Sequence, residues 1–201
     1  MIVVHHLNAS RSQRVLWLLE ELELPYKIVP YQRDAATRLA PPELEAVHPL
    51  GKSPVVVDDG RTLAESGAII DYLVRRRGQG RLQPDPATPA YDQYVEWLHY
   101  AEGSAMLPLM LNLYVARLGE AAAPLRPRID SEIANHLGYI EGALQGRDHL
   151  MDQGFTAADV QMAFVGEIAG RFSLLGPYPS IAGWVERLRA RPAYQRAAAH
   201  G

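Results

Sequence analysis

At 201 residues the chain has room for one large domain or two small ones, and its 48% apolar content is enough to build a core. A net charge of −3 supplies no basic field for nucleic acid, and no run of about eighteen apolar residues offers a membrane span. Zero cysteines exclude disulfides, thiolate metal sites and any nucleophilic protein thiol.

Met1–His6 has neither the positive stretch nor the long apolar core of a secretory signal, which points to the cytosol. Ile2–His6 reads as a short strand. After His5-His6-Leu7-Asn8-Ala9-Ser10-Arg11-Ser12-Gln13, residues Val15, Leu16, Leu18, Leu19 and Leu22 mark a helix ending before Leu24-Pro25. Ser10 and Gln13 have the spacing of a capping box at its start. Tyr26–Tyr31 reads as a second strand, and Pro41–Val47 as a short irregular helix led by Pro41-Pro42.

Ser53-Pro54 opens the β-branched run Val55-Val56-Val57. Proline lacks an N–H and marks a sheet edge or a strand start. The turn here is expected to leave the N–H and C=O of Val55 free to pair with an extended ligand, with the bond before Pro54 cis or trans. Asp58-Asp59-Gly60 has hairpin-turn chemistry, and Thr62–Ala64 completes the hairpin. Ser66 is the expected N-cap of a helix over Ser66–Arg77, whose apolar positions include Ile69, Ile70 and Leu73. Free N–H groups at such a start can hold a carboxylate, and Glu65 beside them can hold an ammonium group.

Gly78–Pro89 is rich in glycine and proline and reads as a linker. The rest reads as helical. Leu98, Ala101, Ala105, Leu109 and Leu113 mark one face of a long helix, in which Pro108 predicts a kink. Leu125, Ile129, Ile133, Leu137, Ile140 and Leu144 form an amphipathic stripe. Thr156-Ala157-Ala158-Asp159 is a capping box with Asp in place of Glu, and Phe155 and Val160 sit at the staple positions. Ile181, Trp184, Val185 and Leu188 mark a last helix, closed by Arg191-Pro192.

The order β-α-β-α-β-β-α followed by helices predicts an α/β plus all-α chain. Its parts are a thioredoxin-like domain over 1–78, a linker over 79–89 and a helical-bundle domain over 90–201.

Gly51-Lys52-Ser53-Pro54-Val55 and Glu65-Ser66-Gly67-Ala68-Ile69 together resemble the glutathione-binding half of the cytosolic glutathione transferases. Either motif alone is weak, while the pair about a dozen residues apart is specific. The resemblance extends along the chain through the linker and the Thr156–Asp159 helix start. It implies that glutathione is the co-substrate and that no metal takes part. Val55 would pair by its backbone with the cysteinyl unit, in the turn set by Ser53 and Pro54. Glu65 and Ser66 would hold the γ-glutamyl amino and carboxylate groups. Lys52, with His48, would reach the glycyl carboxylate.

The resemblance leaves the group that activates the thiol open. Ser10 falls where theta- and delta-like members carry a catalytic serine, Asn8 lies in the same loop, and Arg11 or backbone N–H groups are further donors. His5 stands where other classes carry tyrosine, which argues against a tyrosine mechanism. An apolar electrophile would lie between the domains, against Tyr100, Gly103, Met106, Met110 and Tyr114. A methionine and aromatic stripe at helical spacing equally suits plain core. The implied protein is a cytoplasmic homodimer that conjugates glutathione thiolate to electrophiles, with Glu102 a candidate for reaching across the dimer. Two other readings stand beside it: a glutathione-dependent peroxidase or disulfide reductase, and a non-catalytic binding protein of the same fold.

Overall fold

In chain order the elements are β1 (Ile2–Leu7), α1 (Ser12–Glu21), β2 (Tyr26–Tyr31), a 3-10 turn (Pro42–Leu44), β3 (Val55–Asp58), β4 (Arg61–Ala64) and α2 (Ser66–Arg76). Then come α3 (Pro89–Tyr100), a wide π turn (Ala101–Ala105), α4 (Met106–Val115), α5 (Arg126–Leu144), α6 (Ala157–Arg171), α7 (Pro179–Arg189) and α8 (Pro192–Ala198). This is a computed structural model, and it describes residues 1–200. The chain divides into two compact units. One comprises Met1–Gln83 with the C-terminal segment from Arg189, and the other is Pro84–Leu188.

In the first unit the strands lie in the order β2-β1-β3-β4. β1 runs parallel to β2, with Ile2 beside Tyr26, and antiparallel to β3, with His5 beside Val55. β3 and β4 form the expected hairpin, its turn made by Asp59 at φ 47° and Gly60 at φ 78°. The predicted α-element over Pro41–Val47 is a single 3-10 turn, which Leu44 anchors by being fully buried. Its two prolines stand at the cap and first helical positions, where a missing N–H costs no bond.

The apolar stripe of α1 (Val15, Leu16, Leu18, Leu19) is buried, as are Ile69, Ile70, Leu73 and Val74 on α2. The C-terminal α8 packs on α1. Trp17 meets Tyr194 edge-on at 5.2 Å, and Arg191 grips both carboxylate oxygens of Glu21 at 2.6 and 2.9 Å. The hairpin is tied to α2 through Asp58. This fully buried carboxylate accepts from Arg77 Nε at 2.6 Å and from the Tyr72 hydroxyl at 3.0 Å.

The second unit is helical. Where Pro108 predicted a kink, the chain inserts the wide turn Ala101–Ala105 just upstream, with the Met106 N–H reaching back to the Ala101 carbonyl. A proline cannot bond to the carbonyl four residues back, and a wide turn relieves its clash there. The capping box at α6 forms. Asp159, fully buried, accepts from the N–H of Thr156 at 2.9 Å, the N–H of Leu150 at 3.0 Å and Trp184 Nε1 at 3.0 Å. Burial pushes its carboxyl up, while these donors and His149 act in the opposite direction. α6 and α7 approach closely at Gly166, where an added Cβ would stand 2.7 Å from Val185 Cγ2. Among the described residues no helix is long and apolar enough to cross a membrane.

Candidate active site

The loop between β1 and α1 carries the candidate sulfur ligands. Ser10 does not form the predicted box with Gln13. The helix begins at Ser12, with Arg11 at the cap position and no side-chain capping bond. Instead Ser10 Oγ accepts the Ser12 N–H at 3.2 Å and lies 2.8 Å from Ser12 Oγ, which in turn lies 2.8 Å from His6 Nδ1 and 3.3 Å from the Leu7 carbonyl. Ser10, Ser12 and His6 are all buried. Either hydroxyl can donate in the Ser10–Ser12 contact; where Ser12 donates to His6 or Leu7, the one Ser10 proton goes to Ser12. The Ser10 hydroxyl, one of the candidate sulfur donors, is buried within this chain of hydroxyls.

Asn8 is placed differently. Its N–H extends the sheet to the Tyr31 carbonyl at 3.1 Å, and its side-chain Oδ1 accepts the Arg33 N–H at 2.8 Å. That bond fixes the orientation of the amide, and among the described residues Nδ2 of half-buried Asn8 has no hydrogen-bond acceptor. Ala9, next in the turn, sits at φ 48°. His5 is a satisfied strand residue. Its Nδ1 lies 2.9 Å from the Tyr31 hydroxyl, and burial lowers its pKa, keeping the ring neutral.

The loop before β3 brings Ser53 back to this region. Ser53 Oγ donates to the His5 carbonyl at 2.8 Å and accepts the Leu7 N–H at 3.2 Å. The Ser53–Pro54 bond is cis. Val55 corrects an expectation: it is fully buried and in register with His5 on β1 and Ala64 on β4. Both sides of β3 are taken there, so its peptide groups are not open to a ligand, and Ser53 is the nearer main-chain position outside the ladder. Gly51 at φ 56° has no room for a side chain, since a Cβ would stand 2.9 Å from Glu45 Cγ. Lys52 is exposed, and half-buried His48 accepts the Leu50 N–H at 3.4 Å within its own loop.

The start of α2 is shifted by one residue from the expected cap. Glu65, exposed, holds the cap position at φ 68°, and Ser66 is the first helical residue. A left-handed non-glycine residue is uncommon and strained. Buried Ser66 does not cap the helix through its side chain. Its Oγ accepts from Nη1 of Arg14, a buried arginine on α1, at 3.1 Å. No sequence motif marks Arg14, which sits inside the apolar run of α1.

In the second unit the five expected electrophile contacts differ in exposure. Met106 is buried core, Met110 is half-buried and Tyr114 is exposed. Of the two methionines only Met106 belongs to the core. Gly103 lines a groove of about 320 Å³ with Leu107, Leu111, Arg128, Glu132 and His136. Tyr100 shares a 2.6 Å hydrogen bond with His136 Nδ1. Burial, then Tyr139 and Glu96, push its phenol up to about 12, so it stays protonated near neutrality. Among the described residues no three His, Asp or Glu side chains gather as metal ligands would.

Residues 1–75 match the family model for the glutathione S-transferase N-terminal domain, and residues 103–192 that for the C-terminal domain. The chain is 37% identical to glutathione S-transferase 3 of Schizosaccharomyces pombe, an alignment covering 98% of this chain and 87% of that protein. It superposes on the crystal structure of a glutathione S-transferase from Actinobacillus pleuropneumoniae with a TM-score of 0.90 and 33% identity, covering 99% and 92% of the two chains. A glutathione transferase family member from Pseudomonas fluorescens, solved with two glutathione bound, gives a TM-score of 0.82 and 26% identity, covering 98% and 91%. The chain belongs to the glutathione S-transferase family.

Proposed function

We propose that the protein conjugates glutathione to apolar electrophiles and that Asn8 Nδ2 donates the hydrogen bond that holds the sulfur as a thiolate. The observation that carries this is the orientation of the amide: Oδ1 is bound to the Arg33 N–H at 2.8 Å, so the Nδ2 protons are the ones left for a ligand. Glu65 and Ser66 at the start of α2 take the γ-glutamyl end, the main chain at Ser53 takes the cysteinyl unit, and Lys52 takes the glycyl carboxylate. The thiol proton leaves to solvent, the thiolate attacks an electrophilic carbon, and that carbon's leaving group departs with the bonding pair.

The magnitudes are adequate. A free thiol titrates near ~8.5, and lowering it by two units needs roughly 2.7 kcal/mol. A hydrogen bond to a charged acceptor contributes about 1.5–3 kcal/mol, and the α1 N-terminus adds about 0.3–2 kcal/mol. Family membership supports a homodimer in the cytosol as part of this reading.

A second reading, glutathione-dependent reduction of peroxides or disulfides, draws support from the Pseudomonas fluorescens relative with two glutathione bound. With no cysteine in this chain, a second glutathione would have to resolve the mixed disulfide. Turnover of a chloronitrobenzene, compared with a hydroperoxide and a glutathione mixed disulfide, decides between the two. Conjugation should be saturable in glutathione. Binding without turnover of any of the three would make the protein a non-catalytic glutathione binder.

A further inference from the structure

Arg33 reaches Asn8 from the loop after β2, across 25 residues of sequence. Besides its backbone N–H on Oδ1, its side-chain Nε donates to the Asn8 carbonyl at 3.2 Å. Nη1 donates to the Arg38 carbonyl at 3.0 Å, and Nη2 makes a long contact with the Ala9 carbonyl at 3.5 Å. The guanidinium thus holds the carbonyls on both sides of Ala9, the residue at φ 48°. An L-residue rarely adopts that conformation unless its surroundings impose it.

All these acceptors are neutral carbonyls. Among the described residues no carboxylate ion-pairs with Arg33. Asp34, its neighbour, accepts instead from the N–H groups of Ala36 and Thr37 and from the Thr37 hydroxyl. Burial, then the charges of Arg38 and Arg11, lower the Arg33 pKa, which places three cations around this turn. The other titratable groups nearby are His5 and Tyr31, bonded to each other, and Glu43, which acts on Tyr31.

We propose that Arg33 is the positioning residue for the thiol-activating amide. It locks the Asn8–Ala9 turn through main-chain carbonyls, so that Nδ2 faces the ligand, and it sets a positive charge without a carboxylate partner beside the sulfur. The proposal rests on Asn8 as sulfur donor. Both parts favour thiolate over thiol, so losing them raises the pKa of the bound thiol. The charge part is half-exposed and weakens with added salt.

The test is the pKa of the glutathione thiol in the binary complex, read from thiolate absorbance against pH, together with kcat and KM. Arg33→Met should raise that pKa by about one unit, an approximately tenfold loss of kcat at a pH below the thiol pKa. The glutathione KM should change less than about twofold, because the peptide contacts are elsewhere. Arg33→Lys keeps the charge but not the planar fork, and should give a smaller rise with a retained salt dependence. If Arg33→Met does not fold, Arg33→Lys carries the test. Unchanged thiol pKa in both Arg33 variants, with a raised pKa in Asn8→Ala, would overturn the role of Arg33 and leave Asn8 standing. An unchanged pKa in Asn8→Ala would overturn the donor assignment and this inference with it.

Discussion

Arg14 Nη1 donates to Ser66 Oγ at 3.1 Å, joining the interior of α1 to the first residue of α2. A guanidinium has no acceptor, so Ser66 is the acceptor in this contact. Ser66→Ala removes that acceptor from a buried cation and removes a proposed ligand contact at the same position. Stability should fall by about 1–3 kcal/mol, read by urea unfolding, and glutathione affinity should fall in the same variant. Glu65→Gln should weaken glutathione binding about tenfold with little loss of stability, because Glu65 is exposed and its carboxylate has no part in capping α2.

At the start of α6, Asp159 gathers three N–H donors and is fully buried. In Asp159→Asn the amide brings its own N–H groups against donors that need acceptors. The expected loss is about 3 kcal/mol or more, read as a lower urea midpoint. Ser10→Ala offers a contrast. It removes one link of a buried hydroxyl chain and should cost about 1–2 kcal/mol of stability.

Gly166→Ala tests the contact of α6 with α7. Alanine gains about 1 kcal/mol in helix propensity over glycine, but its Cβ would stand 2.7 Å from Val185 Cγ2 and 3.3 Å from the Trp184 ring. Overpacking costs typically about 1–3 kcal/mol, so the net effect should be a lower melting temperature. Val185→Ala in the same background should recover part of it.

Glu141 on α5 caps α7, its carboxylate accepting the N–H groups of Ser180 and Ile181 at 3.0 Å each. Burial raises this carboxyl, but the hydrogen bonds from Ser180 and Ile181 outweigh it, and the net shift is downward from 4.5. A carboxyl lowered in the folded state stabilises above its unfolded pKa, and that stability is lost as pH falls through the folded value. Glu141→Gln should therefore unfold at lower urea concentration than the unsubstituted chain at pH ~6–7, by about 1 kcal/mol for a cap. The difference should shrink progressively below pH ~4.5.

The strands, the hairpin at Asp59-Gly60 and the Thr156–Asp159 helix start were legible because each depends on neighbours in sequence. The paired motif around Pro54 and Glu65-Ser66 likewise marked the family. What the sequence did not show depends on contacts at long range. The sequence offered Ser10 as a helix cap or a sulfur donor, and did not show the buried contacts that run from it through Ser12 to His6. Val55 looked like an open edge until β1 and β4 flanked it. Arg33 carries no motif, and its tie to Asn8 exists only because β1 and β2 run parallel. The packing of α8 on α1 through Trp17 and Tyr194 has no local signature either.

In the proposed reaction Asn8, and not Ser10, activates the sulfur. The most direct measurement is the pKa of the glutathione thiol bound to Asn8→Ala, set beside the same value for Ser10→Ala. Asn8→Ala should raise it by about one unit or more, equivalent to at least about 1.4 kcal/mol, and Ser10→Ala should leave it within about 0.3 unit of the unsubstituted enzyme. A raised pKa in Ser10→Ala with an unchanged one in Asn8→Ala would contradict this assignment.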